Sequence, residues 1–208
     1  MPSRAVPAAT WSVLARLGAD ASVAAEFYLA GGTALALRLE HRTSEDLDLF
    51  SALDFEPDAL AVRLVGAKVT AAARGTLHLV LDGVRVSFLH YPPPLLYSTD
   101  LEAGVRVADA RDVGTMKLAA IAGRGRRRDF VDLYFIARRV LGLDELLADF
   151  ARRFGPTFSR YHVLRSLGYF DDADGDPEPR LLAPLDWKEV KAFFAAEQKR
   201  LFEAPGAA

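Results

Sequence analysis

Residues 27–50, FYLAGGTALALRLEHRTSEDLDLF, contain the two features that decide the fold. A short apolar stretch runs into the glycine pair Gly31-Gly32, and a segment rich in helix formers, TALALRL, follows it. After a polar loop comes DLDLF (46–50), in which acidic and apolar residues alternate with the period of a β-strand. This order predicts a strand, a glycine turn, a helix, a loop and a second strand.

The acidic residues of the second strand form a candidate metal site. Asp46 and Asp48 would point to one face of the strand, while Leu47 and Leu49 face the core. Two crowded carboxylates repel each other unless a cation lies between them, and Mg²⁺ prefers oxygen ligands. Such a pair can hold one or two metal ions that bridge nucleotide phosphates during an in-line displacement. An Asp-x-Asp pair on an edge strand can also be merely solvated.

The glycine pair is a candidate phosphate site. Glycines before a helix let the backbone approach a phosphate closely, and the helix N-terminus offers free N–H groups and a positive dipole end. Thr33, directly after the pair, could add a hydroxyl. The simpler interpretation, a turn that only starts a helix, stays open at this point.

Composition limits the classes of function. The chain has 208 residues, enough for one domain or two small lobes, and its formal net charge of −2 argues against a nucleic-acid-binding surface over the whole protein. It has no cysteine, which excludes disulfides, a thiol nucleophile and a Cys-ligated zinc site. No apolar run approaches the ~18 residues that a membrane span needs, and the N-terminal MPSRAVPAATWSVLARL lacks the continuous apolar core of a signal peptide. We therefore expect a cytoplasmic protein.

The remaining pattern changes character at about residue 108. Three β-rich stretches occupy 67–90, and Asp82-Gly83 between the last two predicts a two-residue hairpin turn. Helical patterns dominate from about 112 onward. The polar run DDADGDPEP (171–179) predicts a surface loop, because its spacing does not fit a calcium-binding EF-hand loop.

Two segments resemble motifs of the AbiEii/AbiGii family, the nucleotidyltransferase-like toxins of bacterial toxin–antitoxin and phage-defence systems. GGTALALRLEHRTSEDLDLF resembles the first motif, Gly-Gly-Thr-x-Leu followed by His-Arg-x-Ser-x-Asp-hydrophobic-Asp-hydrophobic-Phe. TMKLAAIAGRGRRRDFVDLYFI (115–136) resembles the later motif, in which a lysine precedes an arginine-rich turn and Arg-Asp-x-x-Asp-Leu. The resemblance covers about residues 27–140.

The resemblance implies an α+β fold. A nucleotidyltransferase-like lobe, with a mixed β-sheet flanked by helices, is expected over 1–108, and a helical lobe packed on it over 109–208. It also implies a metal-dependent nucleotidyltransferase that uses Mg²⁺ and an NTP. Related toxins transfer nucleotides to RNA, notably to the tRNA 3′ end, and have a cognate antitoxin.

The site residues follow from matching the motifs to this chain. We expect Asp46 and Asp48 to bind the metal and to act in catalysis with Lys117, a point charge for the triphosphate, and Asp132. Asp129 shares a helix face with Asp132, and either one could orient Lys117 or activate an attacking hydroxyl. Asp129 could equally be a residue favoured by the helix dipole. The expected nucleotide-binding residues are Gly31, Gly32, Thr33, Arg42, Ser44 and Arg128.

One position departs from the superfamily pattern. Nucleotidyltransferases usually have a third carboxylate on a later strand, but GVRVSFLHY (83–91) contains no Asp or Glu, and Ser87 or Arg85 stands on the relevant face. Either metal binding is weaker than in standard members of the superfamily, or, as we expect, Asp132 supplies this carboxylate instead. It would then lie within ~10 Å of Asp46 and Asp48, near enough to share one or two metal ions.

Alternatives remain open from the sequence alone. The arginines of GRGRRR (123–128) would contact an RNA backbone or clamp the nucleotide, or they are a solvated helix start. His41 and Arg42 would bind a base or phosphate, or they only order the loop. The enzyme could act on a small molecule or a protein, and the missing strand carboxylate is compatible with a non-catalytic nucleotide-binding regulatory module.

Overall fold

The chain folds into two compact units, one ending at Asp109 and the other beginning at Ala110. The computed structural model describes residues 3–155 and 159–203. In the first unit the elements are α1 (Ala8–Gly18), α2 (Ala21–Glu26), β1 (Tyr28–Ala30), α3 (Gly31–Leu39), β2 (Leu47–Ser51), α4 (Pro57–Arg63), β3 (Lys68–Ala73), β4 (Thr76–Leu81), β5 (Val84–His90), β6 (Asp100–Glu102) and β7 (Val105–Val107). The expected α+β fold with a mixed sheet is confirmed.

The strands of the first unit form one sheet in the order β3-β4-β5-β2-β1-β7-β6. β2 runs parallel to β5, and β1 runs parallel to β7, whereas the other neighbours are antiparallel. Helix α1 packs against β5 and β7, and α3 packs against β1 and β2. This order places the strand with the two aspartates in the middle of the sheet, between β1 and β5.

The hairpin between β4 and β5 shows how short-range sequence signals determine register. Asp82 and Gly83 both have positive φ, 49° and 81°, as a two-residue turn of the favoured hand requires. Leu81 consequently pairs with Val84, and the register continues to Thr76 opposite Leu89. The predicted two-residue hairpin is confirmed.

The second unit is helical. Its elements are α5 (Ala110–Arg124), α6 (Arg127–Arg139), α7 (Leu143–Phe154), α8 (Arg160–Ser166), α9 (Asp171–Asp174) and α10 (Trp187–Glu203). Helix α5 packs against α6, α7 and α8, and α10 packs against α6 and α8. In the part of the chain that the structure describes, no helix is both long and apolar enough to cross a membrane.

The surface loop predicted over 171–179 is only partly correct, because the short helix α9 lies within it. Arg127 donates from Nε to the carbonyl of Ala173 at 3.2 Å and from Nη2 to that of Asp174 at 2.7 Å. The Asp174 carboxylate accepts hydrogen bonds from Trp187 Nε1 and Lys191 Nζ. These contacts from distant residues stabilise a helical turn that the local polar sequence does not predict.

Candidate active site

The two predicted metal ligands lie at the beginning of β2. Leu47 and Leu49 are fully buried, whereas Asp46 and Asp48 are half-buried, which is the alternation expected for a strand with one face in the core. Asp48 pairs with Ala30 of β1 on one side and with Ser87 of β5 on the other. The Asp48 side chain therefore emerges at the junction of three adjacent strands.

Gly31 brings the start of α3 against the Asp48 carboxylate. Its φ of 67° lies in the left-handed region, and a Cβ atom at this position would lie 3.1 Å from Asp48 Oδ2. A side chain would therefore be strained and would press on the carboxylate. Because Gly31 has no side chain, the backbone at the start of α3 can lie next to the Asp48 carboxylate. The backbone could bind phosphate there, and the carboxylate could bind metal.

We expect Gly31→Ala to destabilise the protein by about 1 to 2 kcal/mol, through left-handed strain, and to lower nucleotidyl transfer at least about tenfold, because the methyl group displaces Asp48. Gly66→Ala is the matched control. Gly66 has a φ of 81° and no atom within 4 Å of an added Cβ, so this variant has the strain without the displacement. Urea unfolding and a transfer assay on both variants check the prediction. Equal losses of activity in the two would contradict it.

The N-terminus of α3 and Arg42 form a positively charged corner. The N-cap residue of α3 is Ala30, whose methyl side chain cannot accept a hydrogen bond from the first N–H groups of the helix. A Cβ atom on Gly32 would overlap the Arg42 guanidinium, which is buried and donates to the Thr43 carbonyl at 3.0 Å. A helix N-terminus normally favours an anion rather than a cation nearby, so the combination suits a polyphosphate.

Thr33 and Ser44 connect α3 to the loop before β2. The buried Thr33 hydroxyl donates to the backbone carbonyl of Asp46 and lies 2.9 Å from the Ser44 hydroxyl. These contacts hold the start of the aspartate strand against the first turn of the helix. Thr33 therefore positions Asp46, and a direct phosphate contact from Thr33 or Ser44 stays a prediction.

Arg85 of β5 forms a two-point ion pair with Asp46. Its Nε lies 2.9 Å from Oδ1 and its Nη2 lies 3.0 Å from Oδ2. The hydrogen bond to Asp46 raises the pKa of Arg85, and the charges of Asp46, Glu45 and Asp48 raise it further. The sequence placed Arg85 on this face but did not reveal the pair. The sequence feature that indicated the position of Arg85 is the two-residue alternation of β5, which puts Arg85 and Ser87 on the same face of the sheet as Asp48.

The donor set fits a magnesium ion that arrives with a nucleotide. Among residues 3–155 and 159–203, no three acidic or histidine side chains cluster as a metal site. Mg²⁺ is commonly bound by one or two carboxylates together with substrate phosphates and water, so Asp46 and Asp48 suffice as its protein ligands. At the position of the usual third carboxylate, the Ser87 hydroxyl lies 3.0 Å from His78 Nδ1.

In the second unit, Lys117 of α5 lies between two carboxylates of α6. Its Nζ is 2.7 Å from Asp129 Oδ1 and 2.8 Å from Asp132 Oδ2. All three side chains are buried, and Asp132 is completely inaccessible to solvent. The sequence grouped these residues correctly, and the structure shows that both carboxylates contact the lysine.

The arginines around the start of α6 divide into two groups. Arg124, Arg126 and Arg128 are exposed, whereas Arg127 turns onto α9 and lies 5.2 Å from the centre of the Trp187 ring. Three of the four arginines are therefore directed to solvent, and the fourth stabilises the unit.

The predicted site residues other than Arg128, which is exposed at the start of α6, thus form two clusters. Six of them lie together with Asp46 in the first unit, namely Gly31, Gly32, Thr33, Arg42, Ser44 and Asp48. Lys117 and Asp132 meet in the second unit. Asp132 belongs to the second unit, whereas Asp46 and Asp48 belong to the first, so their expected proximity stays a prediction. The packing of the helical lobe on the first lobe also stays a prediction.

Comparison with known families shows which family this chain belongs to. The model of the family described as nucleotidyl transferase AbiEii toxin, type IV toxin–antitoxin system, matches residues 12–87 and 81–204. The chain belongs to the AbiEii family. It is a nucleotidyltransferase, and the family resemblance noted in the two sequence motifs is confirmed.

Relatives of this AbiEii-family chain include an uncharacterised protein of Aquifex aeolicus. The two are 33% identical over 193 residues, which cover 86% of this chain and 89% of the relative. Among solved structures, a Helicobacter pylori protein assigned as a nucleotidyltransferase has a TM-score of 0.54 at 18% identity, covering 96% of this chain and 95% of its own. JHP933 of H. pylori has a TM-score of 0.51 at 17% identity, covering 91% and 89%. These structures share the fold.

Proposed function

We propose that this AbiEii-family nucleotidyltransferase is metal-dependent and transfers a nucleotide from an NTP to RNA, with tRNA as the first acceptor to test. It would act in the cytoplasm as the toxin of a toxin–antitoxin or phage-defence system, with a cognate antitoxin. The observation that carries this proposal is the close approach of Gly31 to the Asp48 carboxylate, since an added Cβ atom would lie 3.1 Å from Asp48 Oδ2. This closeness supports a phosphate site next to a metal site.

Each residue of the first cluster has a role that its geometry supports. Asp46 and Asp48 would hold Mg²⁺, which supplies positive charge to the phosphate oxygens during in-line displacement. The N–H groups at the start of α3 would bind the triphosphate, helped by the charge of Arg42. Thr33 keeps the helix and the strand in register through the Asp46 carbonyl. The binding groups are thereby held on rigid elements before the substrate arrives.

Lys117 would neutralise charge on the triphosphate, and Asp129 and Asp132 would hold its ammonium group in place. Two short ion pairs restrict the Nζ atom. An ammonium group fixed in this way does not need to be ordered when the substrate binds.

An RNA acceptor is supported by the exposed arginines of the second unit. Arg124, Arg126 and Arg128 lie within five residues of one another and are directed to solvent. The protein has a net charge of −2, so a local basic segment is the place where a polyanion would bind.

A transfer assay tests the proposed function directly. The full chain and Mg²⁺ would be incubated with total tRNA and each labelled NTP in turn. Label in tRNA that disappears with EDTA would support the proposal and identify the nucleotide. If a small molecule or a protein were labelled instead, that molecule and not RNA would be the acceptor. The proposal would be refuted if the protein showed no transfer and also no Mg²⁺-dependent binding of an NTP.

Replacing Arg124, Arg126 and Arg128 by alanine is expected to raise the KM for RNA at least about tenfold with little change in the KM for NTP, because phosphate contacts are lost. The slope of log K for RNA binding plotted against log [salt] should become less negative by about 2. The control replaces three exposed basic residues of the same unit, Arg165, Lys188 and Lys199, with the same change in charge. A similar effect in both variants would mean that only net charge matters.

A further inference from the structure

The Arg85–Asp46 ion pair conflicts with metal binding at Asp46. Both carboxylate oxygens accept hydrogen bonds from the guanidinium, at 2.9 and 3.0 Å. A bound Mg²⁺ would require an oxygen of the same carboxylate at about 2.0 to 2.1 Å. The guanidinium already uses one lone pair on each carboxylate oxygen, and a cation on the remaining lone pairs would lie close to it, where the two positive charges repel each other. The cation and the complete ion pair therefore compete for Asp46.

Arg85 is able to leave Asp46. Its side chain is 75% exposed, and that of Asp46 is 33% exposed, so water can solvate both groups when they separate. The backbone of β5 is paired on both sides, with β2 and β4, which leaves the side chain as the moving part. Arg85 remains positively charged after it leaves, because a guanidinium keeps its proton at any physiological pH.

A cleft of about 420 Å³ adjoins the pair and gives the released side chain room to move. It is bordered by Thr10, Glu45 and Gly83 in addition to Asp46 and Arg85. Since β2 lies between β1 and β5, Arg85 and Gly31 are on opposite sides of the aspartates in the sheet. The guanidinium matches phosphate oxygens in a two-point geometry as well as it matches a carboxylate.

We propose that Arg85 is an exchangeable counter-ion, which pairs with Asp46 until a divalent cation binds there and then binds a phosphate group of a substrate in the adjoining cleft. This inference rests on the proposed function, because it takes Asp46 as a metal ligand. The exchange opposes binding of the cation alone and favours its binding together with a phosphate-bearing substrate. Arg85 is thus a substrate-binding residue that couples the two binding events.

The first test measures binding of Mn²⁺, a cation that also suits carboxylate ligands, to the full chain by calorimetry without a nucleotide. We expect Arg85→Ala to bind Mn²⁺ about twofold to fivefold more tightly than the wild type, the size expected when an exposed ion pair no longer competes. Arg74→Ala is the matched control, since Arg74 forms an even more exposed pair with Asp54 in the same unit. Asp46→Asn should weaken the binding. Arg85→Ala binding no more tightly than Arg74→Ala would overturn the exchange.

The second test concerns the phosphate. Mn²⁺ binding would be repeated with a non-hydrolysable NTP analogue and, separately, with total tRNA. The substrate that binds Arg85 should strengthen Mn²⁺ binding at least about threefold less in Arg85→Ala than in the wild type, since the compensating contact is gone. The affected substrate identifies the phosphate as the nucleotide's or the acceptor's. Equal coupling in wild type and variant with both substrates would overturn this part of the inference.

The metal measurement also separates this inference from the proposed function, because it requires no turnover. If no acceptor is labelled but Arg85→Ala tightens Mn²⁺ binding, the transfer reaction is refuted and the competition for Asp46 stands. If tRNA is labelled and Arg85→Ala binds Mn²⁺ as the wild type does, the transfer reaction stands and the exchange is refuted.

Discussion

Asp48→Asn is expected to lower kcat for nucleotidyl transfer at least about a thousandfold, equivalent to roughly 4 kcal/mol of transition-state stabilisation. Asparagine has the shape of aspartate but lacks the charge that would hold a divalent cation against the substrate phosphates. The side chain is only half-buried and projects from the face of β2 opposite Leu47 and Leu49. The substitution should therefore leave the core and the sheet intact.

Labelled transfer to tRNA, a thermal melt and Mn²⁺ binding together check this prediction. Asp54→Asn is the control, because Asp54 is a carboxylate of the same unit that pairs with the exposed Arg74. It should keep full activity. If Asp48→Asn kept more than about a tenth of the activity, Asp48 would not be an essential metal ligand. An unfolded variant would show instead that the carboxylate is structural.

Lys117→Met is expected to reduce the free energy of unfolding by about 3 kcal/mol, because it leaves two buried carboxylates without their cation. Asp129 and Asp132 both contact Nζ, and the exposed fractions of their side chains are 11% and 0%. Methionine keeps most of the length and volume of lysine, so the loss of charge causes most of the effect. The same variant should also lose transfer, since the fixed ammonium group is the proposed triphosphate contact.

Arg153→Met separates these two effects of the lysine substitution. Arg153 and Asp112 form another buried pair in the same unit, and Arg153 donates to the Asp112 carbonyl at 2.8 Å and to Thr115 Oγ1 at 2.9 Å. Both variants should be less stable in urea. At a temperature where both are folded, only Lys117→Met should lose transfer. Equal activity in the two would limit Lys117 to a structural role, and an unfolding change below about 1 kcal/mol would contradict the buried-charge argument.

The local part of the site could be predicted from the sequence because its signals are short-range. The two-residue alternation of DLDLF places Asp46 and Asp48 opposite the buried Leu47 and Leu49, as observed. The glycine pair predicted a turn into a helix, and α3 begins at Gly31, which has a positive φ. Spacing on one helix likewise placed Asp129 and Asp132 on a common face, where both reach Lys117. Each of these conclusions needs only backbone geometry over a few residues.

The sequence did not predict two of the shortest strands, because a periodic pattern needs more residues than these strands contain. β6 and β7 have three residues each, too few for a periodic signal, and pairing in the sheet stabilises them, β7 with β1 and β6 with β7. Helix α2 did have a local signal, since Asp20 accepts hydrogen bonds from the backbone N–H groups of Ser22 and Val23. An N-cap residue is informative even where the helix after it is short.

By itself, the sequence identified candidate residues for the chemistry and the face of its own element that each one occupies. The tertiary structure alone decided their partners. Asp46 contacts Arg85, which is 39 positions away, only because β5 lies parallel to β2 in the sheet. Strand order and register depend on the closure of long loops and on burial over the whole sheet, and no local periodicity encodes them. The strand with Asp46 and Asp48 could therefore be predicted from the sequence, whereas the pairing of Arg85 with Asp46 was revealed only by the tertiary structure.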